Sequence, residues 1–73
     1  MSPDKLIYQA NQIATFFASQ PEAEQIEGVA DHINKFWDPR MRAKLFEISD
    51  QSTDGFKPMV VAALAKVKRP AAD

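Results

Sequence analysis

Apolar residues recur at helical spacing in four segments of the chain, and strand-type alternation is missing. Four of the five prolines open these segments: Pro3, Pro21, Pro39 and Pro58. Proline is favoured in the first turn of a helix, where its missing N–H is not needed. The pattern predicts an all-α fold, a single small four-helix domain. We expect helices near 3–19, 21–36, 39–49 and 58–67, a loop at 50–57 and frayed termini at 1–2 and 68–73.

The first segment has one clear apolar stripe: Leu6, Ala10, Ile13 and Phe17. Phe16 falls on the flank of this stripe, where we expect a half-exposed ring. Asn11 lies beside the stripe and not opposite it. Its amide is therefore either a surface group or a hydrogen-bonding group for a neighbouring helix or a partner backbone.

The second segment also has a regular apolar face: Ile26, Val29, Ala30, Ile33 and Trp37. Ser19 and Glu22 have the spacing of a capping box before it. Gly28 inside the helix costs on the order of 1 kcal/mol relative to Ala, so either a close neighbour compensates or the cost is tolerated. His32 lies on the flank of the face. Because the chain has no second His and no Cys, we expect His32 to pack at a rim and not to bind a metal.

A corner at residues 35–42 separates the second and third segments. Asp38 can accept hydrogen bonds from the first turn of the next helix, and the following proline suits that turn. Trp37 continues the apolar face and is expected to be buried. Arg40 is a cation near the positive end of the helix dipole, where it is locally unfavourable. Its presence there is more easily explained by a role other than helix stability. We expect Arg40 and Arg42 to face outwards and bind a partner, although the same residues also fit a corner that only folds the chain.

The fourth segment is apolar nearly all round, since Lys66 is the only polar residue between Met59 and Val67. Phe56 and Val61 have the spacing of a hydrophobic staple. A domain of this size cannot surround such a helix, so either another chain covers Met59 and Val61 or the helix stays exposed. We expect a partner there, with marginal stability and self-association when the chain is isolated.

Composition and charge exclude or disfavour several classes of function. The net charge is −1 with 26% charged residues, which disfavours a nucleic-acid binder. The absence of Cys excludes a disulfide framework and a thiol nucleophile, and one His offers no nucleophile–base pair. The N-terminal residues lack the apolar stretch of a signal peptide and no run approaches membrane-spanning length, so we expect a cytoplasmic protein without a membrane partner. These features indicate a small interaction protein with no catalytic residue, cofactor or metal of its own.

Three strings of residues resemble the delta-subunit family of NAD-dependent formate dehydrogenases. They are Ala10-Asn11-Gln12-Ile13-Ala14 with Phe16-Phe17, Gly28-Val29-Ala30-Asp31-His32-Ile33, and Lys35-Phe36-Trp37-Asp38-Pro39-Arg40-Met41-Arg42. The resemblance covers roughly residues 6–48 and is weaker around 54–64.

This resemblance implies a partner and a role. The family accompanies a large cytoplasmic complex with a molybdenum or tungsten bis-pterin cofactor (molybdopterin guanine dinucleotide), iron–sulfur clusters and a flavin (FMN), which oxidises formate with NAD⁺ or reduces CO₂. The chain is then a non-catalytic subunit, or an assembly or stability factor, that docks on the large alpha subunit. The alternative is a free-standing homodimeric module joined through its fourth helix. The expected partner-binding residues are Arg40, Arg42, Phe16, His32, Asn11, Met59 and Val61.

Overall fold

The computed structural model describes residues 2–70, which form an all-α fold. Its helices are α1 (Pro3–Phe17), α2 (Glu22–Phe36), α3 (Pro39–Gln51) and α4 (Pro58–Ala63), and a 3₁₀ turn at Leu64–Lys66 continues α4. No strand occurs among the described residues. The predicted four-helix fold is therefore confirmed. The fraying predicted for Met1 and for residues 71–73 lies outside the described residues.

Side chains cap two of the helices, and the cap at Asp38 forms as expected. The Ser2 hydroxyl accepts a hydrogen bond from the backbone N–H of Lys5 at 3.3 Å and caps α1. The Asp38 carboxylate accepts from the N–H of Met41 at 2.9 Å and caps α3. Because Trp37 is extended between the two helices, α2 ends and α3 begins within a few residues, which makes the sharp corner.

The predicted capping box at the start of α2 is wrong. Pro21 is the N-cap residue and no side chain caps this helix, while the Ser19 hydroxyl donates back to the carbonyl of Phe16 at 3.1 Å. Glu22 is consequently the first helical residue and not the third, so it cannot pair with Ser19 as a capping box requires.

Helix boundaries differ from the expectation by a few residues. Helix α1 ends at Phe17, two residues early, and α3 continues to Gln51, so the connecting loop begins at Ser52. Helix α4 stops at Ala63, where the backbone tightens into the 3₁₀ turn and then becomes extended at Val67. Short 3₁₀ turns are common at the C-termini of α-helices.

The tail predicted to fray from Lys68 is instead attached to the helices as far as it is described. The Lys68 backbone N–H donates to the Asn34 side chain at 2.8 Å, and the Lys68 carbonyl accepts from Arg42 Nη1 at 2.8 Å. Arg69 pairs with Asp50 at 3.1 Å. These contacts hold the end of the described chain against α2 and α3.

One hydrophobic core joins all four helices. Its largest fully buried side chains are Leu6, Val29, Ile33, Leu45 and Val60. Trp37 is also buried, as predicted. Phe46 and Phe56 are buried too. Helix α2 packs against both α1 and α4. Side chains of α2 that point away from these two helices remain at the surface.

Candidate functional site

An aromatic strip crosses the surface between α1 and α2. It consists of Phe16, Phe17, Gly28, His32 and Phe36. The rings of Phe16 and Phe17 meet edge to face with centroids 5.0 Å apart. Farther along α2, the rings of His32 and Phe36 lie 4.7 Å apart. Phe16 is 65% exposed and Phe36 is 71% exposed, so both ends of the strip present large rings to solvent.

Gly28 lets the aromatic strip pass from one helix to the other. A Cβ at this glycine would lie 2.6 Å from Cδ1 and 3.0 Å from Cζ of Phe17. Such distances are well inside van der Waals contact, so only glycine accommodates the ring in this position. The two readings of Gly28 are thereby resolved in favour of a large neighbouring side chain.

Of the two corner arginines, only Arg40 is exposed. Arg42 is half-buried, and its guanidinium donates to the Lys68 carbonyl at 2.8 Å. Its Nε is buried and has no hydrogen-bond partner among the described residues. The expected outward orientation is confirmed for Arg40 and wrong for Arg42, because the extended chain after Val67 passes within reach of that side chain.

Asn11 is a hydrogen-bonding residue and not a free surface amide. Its Nδ2 donates to the Gly55 carbonyl at 2.9 Å, and its Oδ1 accepts from the Lys57 backbone N–H at 2.9 Å. Both hydrogen-bonding groups of the side chain therefore hold the loop that enters α4. Within this chain Asn11 therefore stabilises the fold, and its expected contact with a partner stays a prediction.

Asn34, which the sequence pattern did not single out, makes the same pair of hydrogen bonds at the other end of α4. Its Nδ2 donates to the Lys66 carbonyl at 3.1 Å, and its Oδ1 accepts from the Lys68 N–H at 2.8 Å. Asparagine is disfavoured inside helices, because its amide competes for backbone groups. That preference is the one local sign that Asn11 and Asn34 serve segments elsewhere in the chain.

Helix α4 offers two different surfaces. Val61 is 37% exposed on its outer side, whereas Phe56, its expected staple partner, is buried. Met59 is half-buried and lines a groove of ≈ 560 Å³ between α4 and the adjoining ends of α1 and α2. Other residues lining this groove are Ala14, Ala18, Ile26 and Ala62, with Glu22 and Lys57 beside them. Met59 and Val61 thus belong to separate patches.

Four ion pairs occur among the described residues, and they join fewer than half of the charged side chains there. Asp31 pairs with Lys35 at 3.0 Å along α2. Arg69 donates to both oxygens of Asp50, which lowers the pKa of that carboxyl and raises the pKa of the guanidinium. Within residues 2–70, no three His, Asp or Glu side chains are grouped so that they could hold a metal ion.

Taken together, the helices and exposed rings define a small all-α protein with surface suited to contact another protein. Residues 5–64 match the family described as NADH-dependent formate dehydrogenase delta subunit FdsD. Because the match covers most of the 73 residues, this chain belongs to that family. No curated protein and no solved structure matches the chain significantly. The resemblance found in the sequence is confirmed, and the match also includes α4.

No helix within residues 2–70 is both long enough and apolar enough to cross a bilayer.

Proposed function

We propose that this chain is a non-catalytic accessory subunit of an NADH-dependent formate dehydrogenase complex that docks on the catalytic alpha subunit. Membership of the delta-subunit family supports association with other subunits. The observation that carries the docking is the exposure of Phe16 and Phe36 at the two ends of the aromatic strip. A large ring buries roughly 150–250 Å² when it is covered, so two such rings can anchor an interface.

The proposed contribution of the chain is contact surface and not redox chemistry. Iron–sulfur clusters are held mainly by cysteine thiolates, and this sequence has no Cys and a single His. The molybdopterin guanine dinucleotide, iron–sulfur clusters and FMN of the complex therefore belong to the larger subunits in this proposal. The chain stabilises the alpha subunit or assists its assembly in the cytoplasm.

Co-purification tests this function. A tagged chain is expressed together with the other subunits and recovered from native lysate, and the alpha subunit is expected in the eluate. If the tagged chain recovers only itself, the proposed function is wrong. Expressing the complex without this chain then separates the two roles: a fall in cofactor content indicates assembly, whereas a fall only in thermal stability indicates a stabilising subunit.

A homodimeric module is the second candidate, and the exposure of Val61 on α4 favours it. In that case the isolated chain dimerises, and Val61→Asp restores a monomer in sedimentation experiments. Dimerisation that persists when the alpha subunit is supplied supports the free-standing module. A thermally stable monomer at high concentration contradicts it.

A further inference from the structure

We propose that the outward side of α1, together with the aromatic strip, is the docking surface, and that its occupant is an uncharged, apolar surface of the large subunit. This inference rests on the proposed function and names the side of the chain that performs it. Its distinguishing consequence is an association that barely depends on ionic strength.

The first observation is a run without charge. Residues 6–21 contain no Asp, Glu, Lys or Arg. Over the whole chain 26% of residues are charged, and 26% of 16 residues is about four. Yet this run forms most of α1. We call the exposed side chains of the run within this helix the neutral face: Tyr8, Gln9, Gln12, Thr15 and Phe16. The charged Asp4 and Lys5 of the first turn lie outside it.

Apart from the six-residue α4, which also has no charged residue, the other helices differ sharply from α1. Their exposed charged residues include Glu22, Glu24, Glu27, Asp31 and Lys35 on α2 and Arg40, Glu47 and Asp50 on α3. Within the described residues, every ion pair joins residues outside α1. A solvated helix face normally carries charge, so the neutral face is a local property of α1 and not a result of the composition.

Side-chain geometry makes the neutral face continuous with the aromatic strip. Tyr8, Gln12 and Phe16 are spaced four residues apart and so lie on one side of α1. The Gln12 amide donates to the Tyr8 hydroxyl at 2.6 Å. Phe16 then contacts Phe17, whose ring lies over Gly28 of α2. The combined surface therefore presents aromatic rings and amides from two helices.

The absence of charge and the exposed aromatic rings determine which kind of partner surface can bind here. The centres of protein interfaces are depleted in charged residues and enriched in aromatic ones. Covering the neutral face buries no fixed charge of this chain, whereas a charge on the opposing surface would be buried without a counter-ion. The complementary surface is thus apolar and uncharged, with backbone or amide groups opposite Gln9 and Gln12. A cluster of acidic residues, which Arg40 would favour, does not suit this face.

Size supports the use of both helices. A standard interface buries roughly 800 Å² on each partner. Tyr8 to Phe16 spans only about 12 Å along the helix axis. The neutral face needs the exposed ring of Phe36 and the adjacent His32 to reach that area, which is why the proposal joins it to the aromatic strip.

The test measures affinity for the purified large subunit with this chain bearing a single added charge. Gln12→Glu and Gln12→Lys place opposite charges on the neutral face, and each is expected to weaken binding roughly tenfold or more. Gln51→Glu and Gln51→Lys make the same changes at an exposed residue that ends α3. This control pair is expected to bind like the unmodified chain. Circular dichroism and thermal melting verify that all four variants fold.

The dependence of the dissociation constant on salt concentration is the second part of the test. Raising the salt concentration from about 0.05 M to about 0.5 M is expected to change the dissociation constant less than about twofold, because screening acts only on charges. Normal binding by both Gln12 variants, or opposite effects of Glu and Lys, overturns the neutral surface. A strong salt dependence does the same. If the unmodified chain fails to bind the large subunit at all, the proposed function falls together with this inference; if it binds and only the Gln12 result fails, the function stands.

Discussion

The ring of Phe17 occupies the space that a side chain at Gly28 would need. A Cβ on the glycine would come within 3.0 Å of several ring atoms. Helix α2 therefore accepts the cost of an internal glycine, on the order of 1 kcal/mol relative to Ala, in exchange for a close contact with α1. The two residues are coupled, and their coupling can be measured.

We expect Gly28→Ala to lower the free energy of unfolding by about 1 kcal/mol, because displacement of the Phe17 ring outweighs the gain in helix propensity. In a Phe17→Ala background the obstacle is gone, and the same substitution is expected to stabilise the chain by about 1 kcal/mol. Urea denaturation of the four chains of this double-mutant cycle measures both values.

Gly55→Ala is the matched control. Its Cβ would lie 3.4 Å from the Ile7 side chain, at the edge of ordinary contact, and no glycine of the described residues has a positive φ. We expect a change within about 0.5 kcal/mol. Equal effects of Gly28→Ala in the two backgrounds would show that Phe17 and Gly28 are not coupled.

Local features of the sequence were sufficient to predict the helices. Proline punctuation and apolar spacing identified all four, and the Asp38 cap formed as expected because it involves residues three positions apart. The capping box predicted at Ser19 and Glu22 failed because Pro21 is itself the N-cap residue. Apolar periodicity therefore predicts the positions of helices more reliably than it predicts which side chain caps each helix.

Long-range hydrogen bonds were beyond the sequence analysis. Asn34 and Lys68 are 34 residues apart, and Arg42 and Lys68 are 26 apart. No local spacing brings such groups together, so Arg42 was expected at a partner surface when it is used within the fold. Of the expected partner-binding residues, Phe16 and His32 do share one surface, whereas Met59 and Val61 lie on two others. Their roles in binding stay predictions.

Arginines 40 and 42 are expected to differ in stability measurements. Arg42→Ala removes the hydrogen bond to the Lys68 carbonyl and is expected to lower the free energy of unfolding by roughly 1–2 kcal/mol. Arg40→Ala, which alters an exposed residue, is the control and is expected to change the free energy of unfolding by less than about 0.5 kcal/mol. Urea denaturation measures both. Equal stability of the two variants would mean that the bond to Lys68 contributes nothing to the fold.

Acid is expected to weaken the contact between Asp50 and Arg69. Hydrogen bonding to Arg69 holds the pKa of the Asp50 carboxyl below its ordinary value of 3.8. A carboxyl with a lowered folded-state pKa stabilises the fold above its unfolded-state pKa, and this contribution is lost as the pH falls through the folded-state value. The loss therefore begins near pH 3.8 and is complete below the lowered pKa.

Thermal melting across this acidic range measures the effect as a difference between chains. Asp50→Asn is expected to show a smaller decline in melting temperature than the unmodified chain, since it has no carboxyl to protonate at this position. Asp54→Asn, at an exposed loop residue, is the control and is expected to follow the unmodified chain. Identical profiles for all three would contradict a stabilising role for this exposed pair.

The final prediction concerns the two asparagines at the ends of α4. Asn11 bonds the backbone of residues 55 and 57, and Asn34 bonds that of residues 66 and 68. Each amide acts as donor to one carbonyl and acceptor from an N–H two residues later. Together they hold a helix of only six residues, which is too short to be stable by its own hydrogen bonds.

Replacing either asparagine by Ala removes two hydrogen bonds, and each variant is expected to lose roughly 1–3 kcal/mol of stability. Hydrogen exchange distinguishes the two ends. Asn11→Ala is expected to expose the Lys57 amide selectively, and Asn34→Ala the Lys68 amide, because each bond is local to its end. Asn11→Asp keeps the acceptor for Lys57 but loses the donor to Gly55, so its stability is expected to fall between those of Asn and Ala. Gln9→Ala, at an exposed position on α1, controls for loss of a surface amide. If both Ala variants exposed the two amides equally, α4 would open as one unit and the asparagines would not act as separate attachments.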